Sequence, residues 1–156
     1  MIRLTRRSFT ALVGATLLTR PVIAQTGAAP ALMRAIPRTG ERVPAVGLGT
    51  ASVFASDDAA TRRAAAQVMR ALVDAGGRLI DTASTYGDAE TVLGREVEAA
   101  GLRDKVFIAT KLEEPDAAEL KRSLARLRTA KIDLLQLHNV RDPQQSLAEF
   151  NAWKTQ

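Results

Sequence analysis

The sequence predicts an α/β fold in which about four strand-helix units follow a short N-terminal β-hairpin. Three observations predict it. Short apolar runs end near Leu48, Ile80, Ala109 and Leu137, at intervals of 32, 29 and 28 residues. Each interval holds one helix-length stretch whose apolar residues recur three and four apart. The runs themselves are short and rich in large apolar side chains, as strands covered on both faces by helices are. Strand, helix, strand at this period means right-handed parallel βα units.

The elements follow in chain order. Residues 1–24 carry Arg3, Arg6, Arg7 and Arg20 and no acidic residue. Arg6-Arg7 precedes the apolar stretch Ala11 to Leu18, and Val22-Ile23-Ala24 offers small-residue cleavage before Gln25. That is the outline of a twin-arginine signal peptide, which predicts export of a folded chain to the periplasm. Its apolar stretch falls short of the roughly 20 residues that span a bilayer, so no stable membrane association is expected after cleavage. Residues 25–33 read as a flexible spacer. Residues 34–44 fit a hairpin turned at Thr39-Gly40, ahead of a first parallel strand at Ala45 to Leu48.

The first helix runs from about 59 to 75, with Ala65, Val68, Leu72 and Ala75 on one face, Asp57-Asp58 at its start and Gly76-Gly77 at its stop. The second places Ala89, Leu93, Val97 and Ala100 together and closes at Gly101. The third begins at Pro115-Asp116 and aligns Ala117, Leu120, Leu124 and Leu127. Between them lie the strands Leu79-Ile80, Val106 to Ala109 and Leu134 to Leu137. Beyond the last, Arg141-Asp142-Pro143 opens a fourth helix with Leu147, Phe150 and Trp153 facing inward. A complete (β/α)₈ barrel takes about 250 residues. Four units leave two options, a small open α/β domain or half of such a barrel.

Composition narrows the function. Of 156 residues 46% are apolar, which suits one globular domain. Zero cysteines exclude a disulfide scaffold or thiolate metal site, and one histidine leaves too few nitrogen ligands for a transition-metal centre, so no metal is expected. The net charge of +5 hints at nucleic acid until the four leader arginines are set aside, which leaves +1 for the remainder. With so little charge and few aromatics, nucleic-acid binding has no footing.

Ligands of parallel α/β folds gather at the carboxyl ends of the strands. The first strand ends in Gly47-Leu48-Gly49-Thr50, the second in Asp81 with Tyr86 on the next loop, the third in Thr110-Lys111 and the fourth in His138-Asn139. Singly, each has a plain reading: a turn-capping aspartate, a solvated lysine, a half-buried loop aromatic, a hydrogen-bonded core histidine. Together they place four different titratable groups at one rim. Such a set suits carbonyl reduction, because hydride arriving at a carbonyl carbon leaves negative charge on the oxygen, which needs a proton and hydrogen-bond donors. A free phenol, with pKa about 10, is a reluctant acid, and a nearby ammonium that favours the phenolate makes it a better one. Lys111 can supply that ammonium, Asp81 can orient it, and a neutral His138 can hydrogen-bond the substrate oxygen.

At these residues the sequence resembles the aldo-keto reductase family. Gly77 to Gly87 (Gly-Arg-Leu-Ile-Asp-Thr-Ala-Ser-Thr-Tyr-Gly), followed by Glu90 and Leu93-Gly94, is similar to the family's first signature. Ala109-Thr110-Lys111 resembles its strand-three lysine motif, and Ile132 to His138 its strand-four segment ending in histidine. Val43 to Thr50 resembles its opening strand. The resemblance covers residues 36 to about 153. It implies a partial (β/α)₈ TIM barrel using NADPH, with Tyr86 as proton donor, Asp81 and Lys111 as its tuning pair and His138 orienting the carbonyl of a small substrate. Gly49, Thr50, Asp81 and Asn139 would meet the nicotinamide side of the cofactor. In that family much of the cofactor grip comes from the second half of the barrel, so the sequence looks like the front of a reductase cut before strand five. The expected partners are therefore a second copy of the chain or a complementing C-terminal half.

Other readings fit less well. Gly47 to Ser52 approximates a dinucleotide-binding glycine fingerprint, but the third glycine is lacking and Asp81 lies 32 residues after Gly49, where about 20 is usual. A hydrolase built on Ser84 and His138 lacks a G-x-S-x-G turn. A non-catalytic half-barrel that pairs through exposed sheet edges remains the alternative outside enzymology.

Overall fold

The computed structural model describes residues 31–153. The chain opens with an antiparallel hairpin, β1 (Met33–Ala35) and β2 (Arg42–Pro44), in which Met33 pairs with Pro44 and Ala35 with Arg42. Four strands then form one parallel sheet in the order β3 (Leu48–Gly49), β4 (Leu79–Asp81), β5 (Phe107–Leu112) and β6 (Leu134–Leu137). Helices α1 (Ala59–Asp74), α2 (Ala89–Ala99) and α3 (Ala117–Arg126) make the crossovers, and α4 (Pro143–Trp153) follows β6. Sequential order with parallel pairing throughout is the first half of a (β/α)₈ barrel, with the hairpin before its first strand.

Local chemistry sets the helix starts. Asp58 caps α1, accepting from the backbone N–H of Ala60 and Thr61, both at 2.8 Å. Asp116 accepts from Ala118 N at the start of α3, and Asp142 from Gln144 N and Gln145 N at the start of α4. Helix α2 carries a glycine in mid-helix for a steric reason. A Cβ at Gly94 would overlap the backbone of Arg126 and Leu127, so its absence lets α2 lie directly on the end of α3. The core lies between sheet and helices, where Ile80 and Ile108 meet Ala65, Met69, Leu93 and Val97.

Several expectations shift. On α1 the inward residues are Ala65 and Met69, with Leu72 and Val73 packed against the core, whereas Val68 is 40% exposed and Ala75 lies beyond the helix end. The stripe begun by Ala65 continues to Met69, four residues on, and Val68 falls on its shoulder. On α3 Ser123 and Leu127 are buried and Ala117 is exposed. On α4 Phe150 is buried and stacks on Trp153 at 5.1 Å, but Leu147 is 51% exposed. The first parallel strand is two residues long because Ala45 N bonds Leu32 O of the hairpin, and Leu48 and Gly49 alone pair with β4. Strand β5 is buried along most of its length, whereas β6 is half open, as befits an outer strand. The expected signal peptide (1–24) and residues 25–30 of the expected spacer lie outside the described residues, and Met33, placed in that spacer by the sequence reading, opens β1 instead.

Candidate active site

The site is built at the carboxyl ends of β4, β5 and β6. Asp81 ends β4, and its carbonyl accepts from both the backbone N–H and the hydroxyl of Thr50, at 3.0 and 3.1 Å. The loop beyond is tied down in steps. Thr82 N bonds Ala109 O, Ser84 N bonds Lys111 O and Tyr86 N bonds Ala83 O. At Gly87 φ is 59°, and a Cβ would sit 2.7 Å from Ala55 O, so only glycine turns the chain there without pushing Tyr86 away. Asp88 N bonds Ala55 O, and Asp57 N bonds the Asp88 carboxylate, which fixes the loop against residues 55–57. Backbone pairing continues past β6, with His138 N on Leu112 O at 2.8 Å.

The four residues singled out by sequence converge. The Lys111 ammonium donates to Asp81 Oδ2 at 2.5 Å, to Thr82 O at 2.8 Å and to the Tyr86 hydroxyl at 3.5 Å. It lies 4.9 Å from the centre of the Tyr86 ring, a cation–π distance. The His138 ring meets Tyr86 edge-on, with centroids 5.7 Å apart and planes at 89°. The Lys111 side chain is 14% exposed and that of Asp81 42%, so the pair sits at an open rim rather than in the core.

Three contributors have no role in the sequence reading, although Thr85 and Glu90 stand within the quoted signature. Gln136 Nε2 donates to Asp81 Oδ1 at 3.3 Å, although it lies inside an apolar run. Its spacing of two from His138 was the available signal, since alternate strand residues share a face. Thr85 Oγ1 lies 3.4 Å from His138 Nδ1. Behind the sheet Glu90, 1% exposed, accepts from the Thr110 hydroxyl at 2.6 Å and Arg126 Nε at 2.8 Å. Arg126 also holds Glu119, whose carboxyl is drawn below its ordinary range chiefly by that hydrogen bond. This network ties α2, which starts three residues after Tyr86, to the strand that carries Lys111.

The residues expected at the cofactor divide. Gly49 and Asn139 are exposed at the rim, and a Cβ on Gly49 would meet open space. Asn139 has φ 57°, a left-handed conformation that asparagine tolerates. Thr50 is fully buried and its hydroxyl donates to Asp81 O, so it supports the Asp81 backbone. A glycine, a carboxylate and an amide at one rim suit the uncharged carboxamide and ribose hydroxyls of a nicotinamide nucleotide. Among the described residues no group of three or more His, Cys, Asp or Glu is placed to hold a metal ion, and no helix is long and apolar enough to cross a membrane.

Comparison with known proteins points the same way. Methylglyoxal reductase YeaE of Escherichia coli is 39% identical over 104 residues, covering 62% of this chain and 35% of that protein. Aldo-keto reductase YhdN of Bacillus subtilis is 33% identical over 117 residues, covering 64% and 35%. An aldo-keto reductase structure from Pseudomonas aeruginosa superposes with TM-score 0.70 at 26% identity, covering 84% of this chain and 60% of that one. One from Klebsiella pneumoniae in complex with NADPH does so with TM-score 0.60 at 34% identity, covering 72% and 42%. The chain spans about a third of the length of the curated relatives it matches. The pattern of the aldo/keto reductase family matches residues 45–153, the stretch that holds all four parallel strands and every residue of the rim, and the chain belongs to that family.

Proposed function

We propose that the protein to which this chain belongs reduces a small aldehyde or ketone to an alcohol, with NADPH as hydride source and Tyr86 as proton donor. The observation that carries this reading is the placement of one ammonium, Lys111, between the Asp81 carboxylate at 2.5 Å and the Tyr86 hydroxyl at 3.5 Å. When bound, NADPH supplies hydride to the carbonyl carbon. The chain's own residues deal with the oxygen. Tyr86 gives it a proton as negative charge develops, and Lys111 stabilises the phenolate left behind. At 3.5 Å, with an effective dielectric constant near 20, that attraction is on the order of 5 kcal/mol before desolvation and before the opposing field of Asp81. His138, beside the Tyr86 ring, donates a hydrogen bond to the same oxygen and orients it. Gly49, Asp81 and Asn139 would hold the nicotinamide end, while Thr50 fixes the Asp81 backbone.

The test is turnover of NADPH with a small dicarbonyl such as methylglyoxal, the substrate in the name of the Escherichia coli relative. Tyr86→Phe is expected to lose roughly 100-fold or more in kcat, the scale of general-acid catalysis, with nicotinamide fluorescence still reporting NADPH binding. Turnover retained in Tyr86→Phe overturns the donor. A second reading, a non-catalytic half-barrel that works by association, draws on the open outer edge of β6, where Leu134 is 41% exposed. The absence of any saturable NADPH response would favour it.

A further inference from the structure

We infer that Gln136 is a positioning residue: by occupying one oxygen of Asp81 it holds that carboxylate to a single contact with Lys111 and so leaves the ammonium a proton for Tyr86. The register puts the parts on one face. Asp81 pairs with Ala109 across β4 and β5, and Lys111 with Gln136 across β5 and β6. Paired residues of a parallel ladder share a face and so do alternate residues of a strand, so Asp81, Ala109, Lys111, Gln136 and, two further, His138 all lie on the inner side. Asp81 and Gln136 flank β5, which carries Ala109 opposite the first and Lys111 opposite the second. The amide therefore reaches across β5, over two strand spacings of about 4.8 Å each, to Asp81 Oδ1. An asparagine is one methylene too short for that span.

The consequence follows from counting donors. An ammonium has three N–H groups and no acceptor. Those of Lys111 go to Asp81 Oδ2, Thr82 O and the Tyr86 hydroxyl, and the last is the longest at 3.5 Å. It is the contact most easily lost. Asp81 is open enough to rotate, and with Oδ1 unoccupied its carboxylate would turn to bridge the ammonium with both oxygens. The ammonium would then roll toward Asp81 and withdraw its third proton from Tyr86. Gln136 prevents that turn without adding charge, which a second cation in its place would do.

The role in turnover rests on the reductase reading above, but the hydrogen bonding can be measured without it. The chain has one tyrosine, so a spectrum of tyrosine labelled at the ring Cζ carbon gives a single line that responds to hydrogen bonds at the phenol oxygen. At neutral pH, in the full chain, Lys111→Met marks the position of that line when the ammonium is gone. Gln136→Met keeps the side-chain length and removes the amide. Gln136→Glu keeps the shape and sets oxygen against oxygen, which serves as a second variant should the first fold poorly. Both Gln136 variants are expected to move the line at least half of the way to the Lys111→Met position. A line that stays where the unmodified chain has it overturns the proposal. In turnover both variants are expected to lose roughly ten- to a hundredfold in kcat through the displaced ammonium while NADPH affinity is unchanged. A loss confined to NADPH affinity would also overturn the assignment. Absence of turnover in the whole protein to which this chain belongs refutes the reductase reading alone, and the tyrosine line still decides the role of Gln136.

Discussion

Glu90 is a carboxylate with 1% of its surface exposed, held by one hydroxyl and one guanidinium. Removing one partner of a buried ion pair costs far more than the pair contributes, because the other charge is left stranded. Here Arg126 keeps Glu119 at its other nitrogen, which softens the effect, but the buried Thr110 hydroxyl loses its acceptor. Glu90→Leu is therefore expected to destabilise the fold by about 3 kcal/mol in chemical denaturation. Adding Thr110→Val and Arg126→Met, which remove the stranded groups, should recover most of that loss. Equal stability of the single and triple variants would show that the network carries no coupling. At this scale the rim residues were legible in the sequence for a physical reason. Asp81, Lys111 and His138 interrupt or end apolar runs, and a strand buried on both faces has no other use for them. Gln136 was hidden because it lies between Leu135 and Leu137, where an apolar average masks one amide. Nor could the sequence tell that the Thr50 hydroxyl is spent on Asp81 O, since that bond joins residues 31 apart.

Among the elements, α1 has the most complete start. Asp58 Oδ1 accepts from two backbone N–H groups, and Oδ2 accepts from the Ser56 and Thr61 hydroxyls at 3.0 and 3.1 Å. These bonds, the one from the Thr61 backbone foremost, lower the carboxyl from 3.8 to about 2. A carboxyl whose folded value is depressed contributes stability that is present above its unfolded value and lost as pH falls through the folded one. For Asp58 that window runs from 3.8 down to about 2. Asp133 adds to the same acid limb. Its burial pushes the carboxyl up, but the Ile108 N–H, Lys131 and Arg103 outweigh that and hold it low. Asp58→Asn keeps an oxygen for the cap and loses the proton linkage. Thermal melts between about pH 4 and 2 are thus expected to show a shallower loss of stability than the unmodified chain. An unchanged slope would place the acid sensitivity elsewhere. Caps were readable in advance because Asp58, Asp116 and Asp142 act on residues two or three ahead. Helix faces were less so: the pattern Ala65, Val68, Leu72 was as regular as Ala65, Met69, Leu72, and only packing chose the long, adaptable methionine. On α4 the burial of Leu147 required a neighbour that spacing alone does not supply.

At the scale of the whole molecule the sheet is open. Among the described residues β3 and β6 each have one strand partner, so each presents an outer row of backbone donors and acceptors. Next to β6 lies an apolar cleft of about 580 Å³ whose walls include Leu134, Leu135, Leu147, Phe150 and Trp153. Unpaired edges and contiguous apolar surface are what soluble chains cover, by closing a barrel or by pairing with another copy. In the Pseudomonas aeruginosa structure, the part matched by this chain is 60% of the whole, so that protein has further chain beyond the matched part. We propose that in this protein the same two edges are covered, either by additional barrel strands or by a second copy related by a two-fold axis. A polypeptide confined to these 156 residues is then expected to enhance the fluorescence of an apolar dye, or to sediment above the 16.7 kDa of one chain. Association about a two-fold axis would quench the dye as concentration rises, because the cleft and the edges are buried together. A monodisperse species at the single-chain mass with no dye response would mean that the chain covers its own edges, and the need for a covering partner would fall.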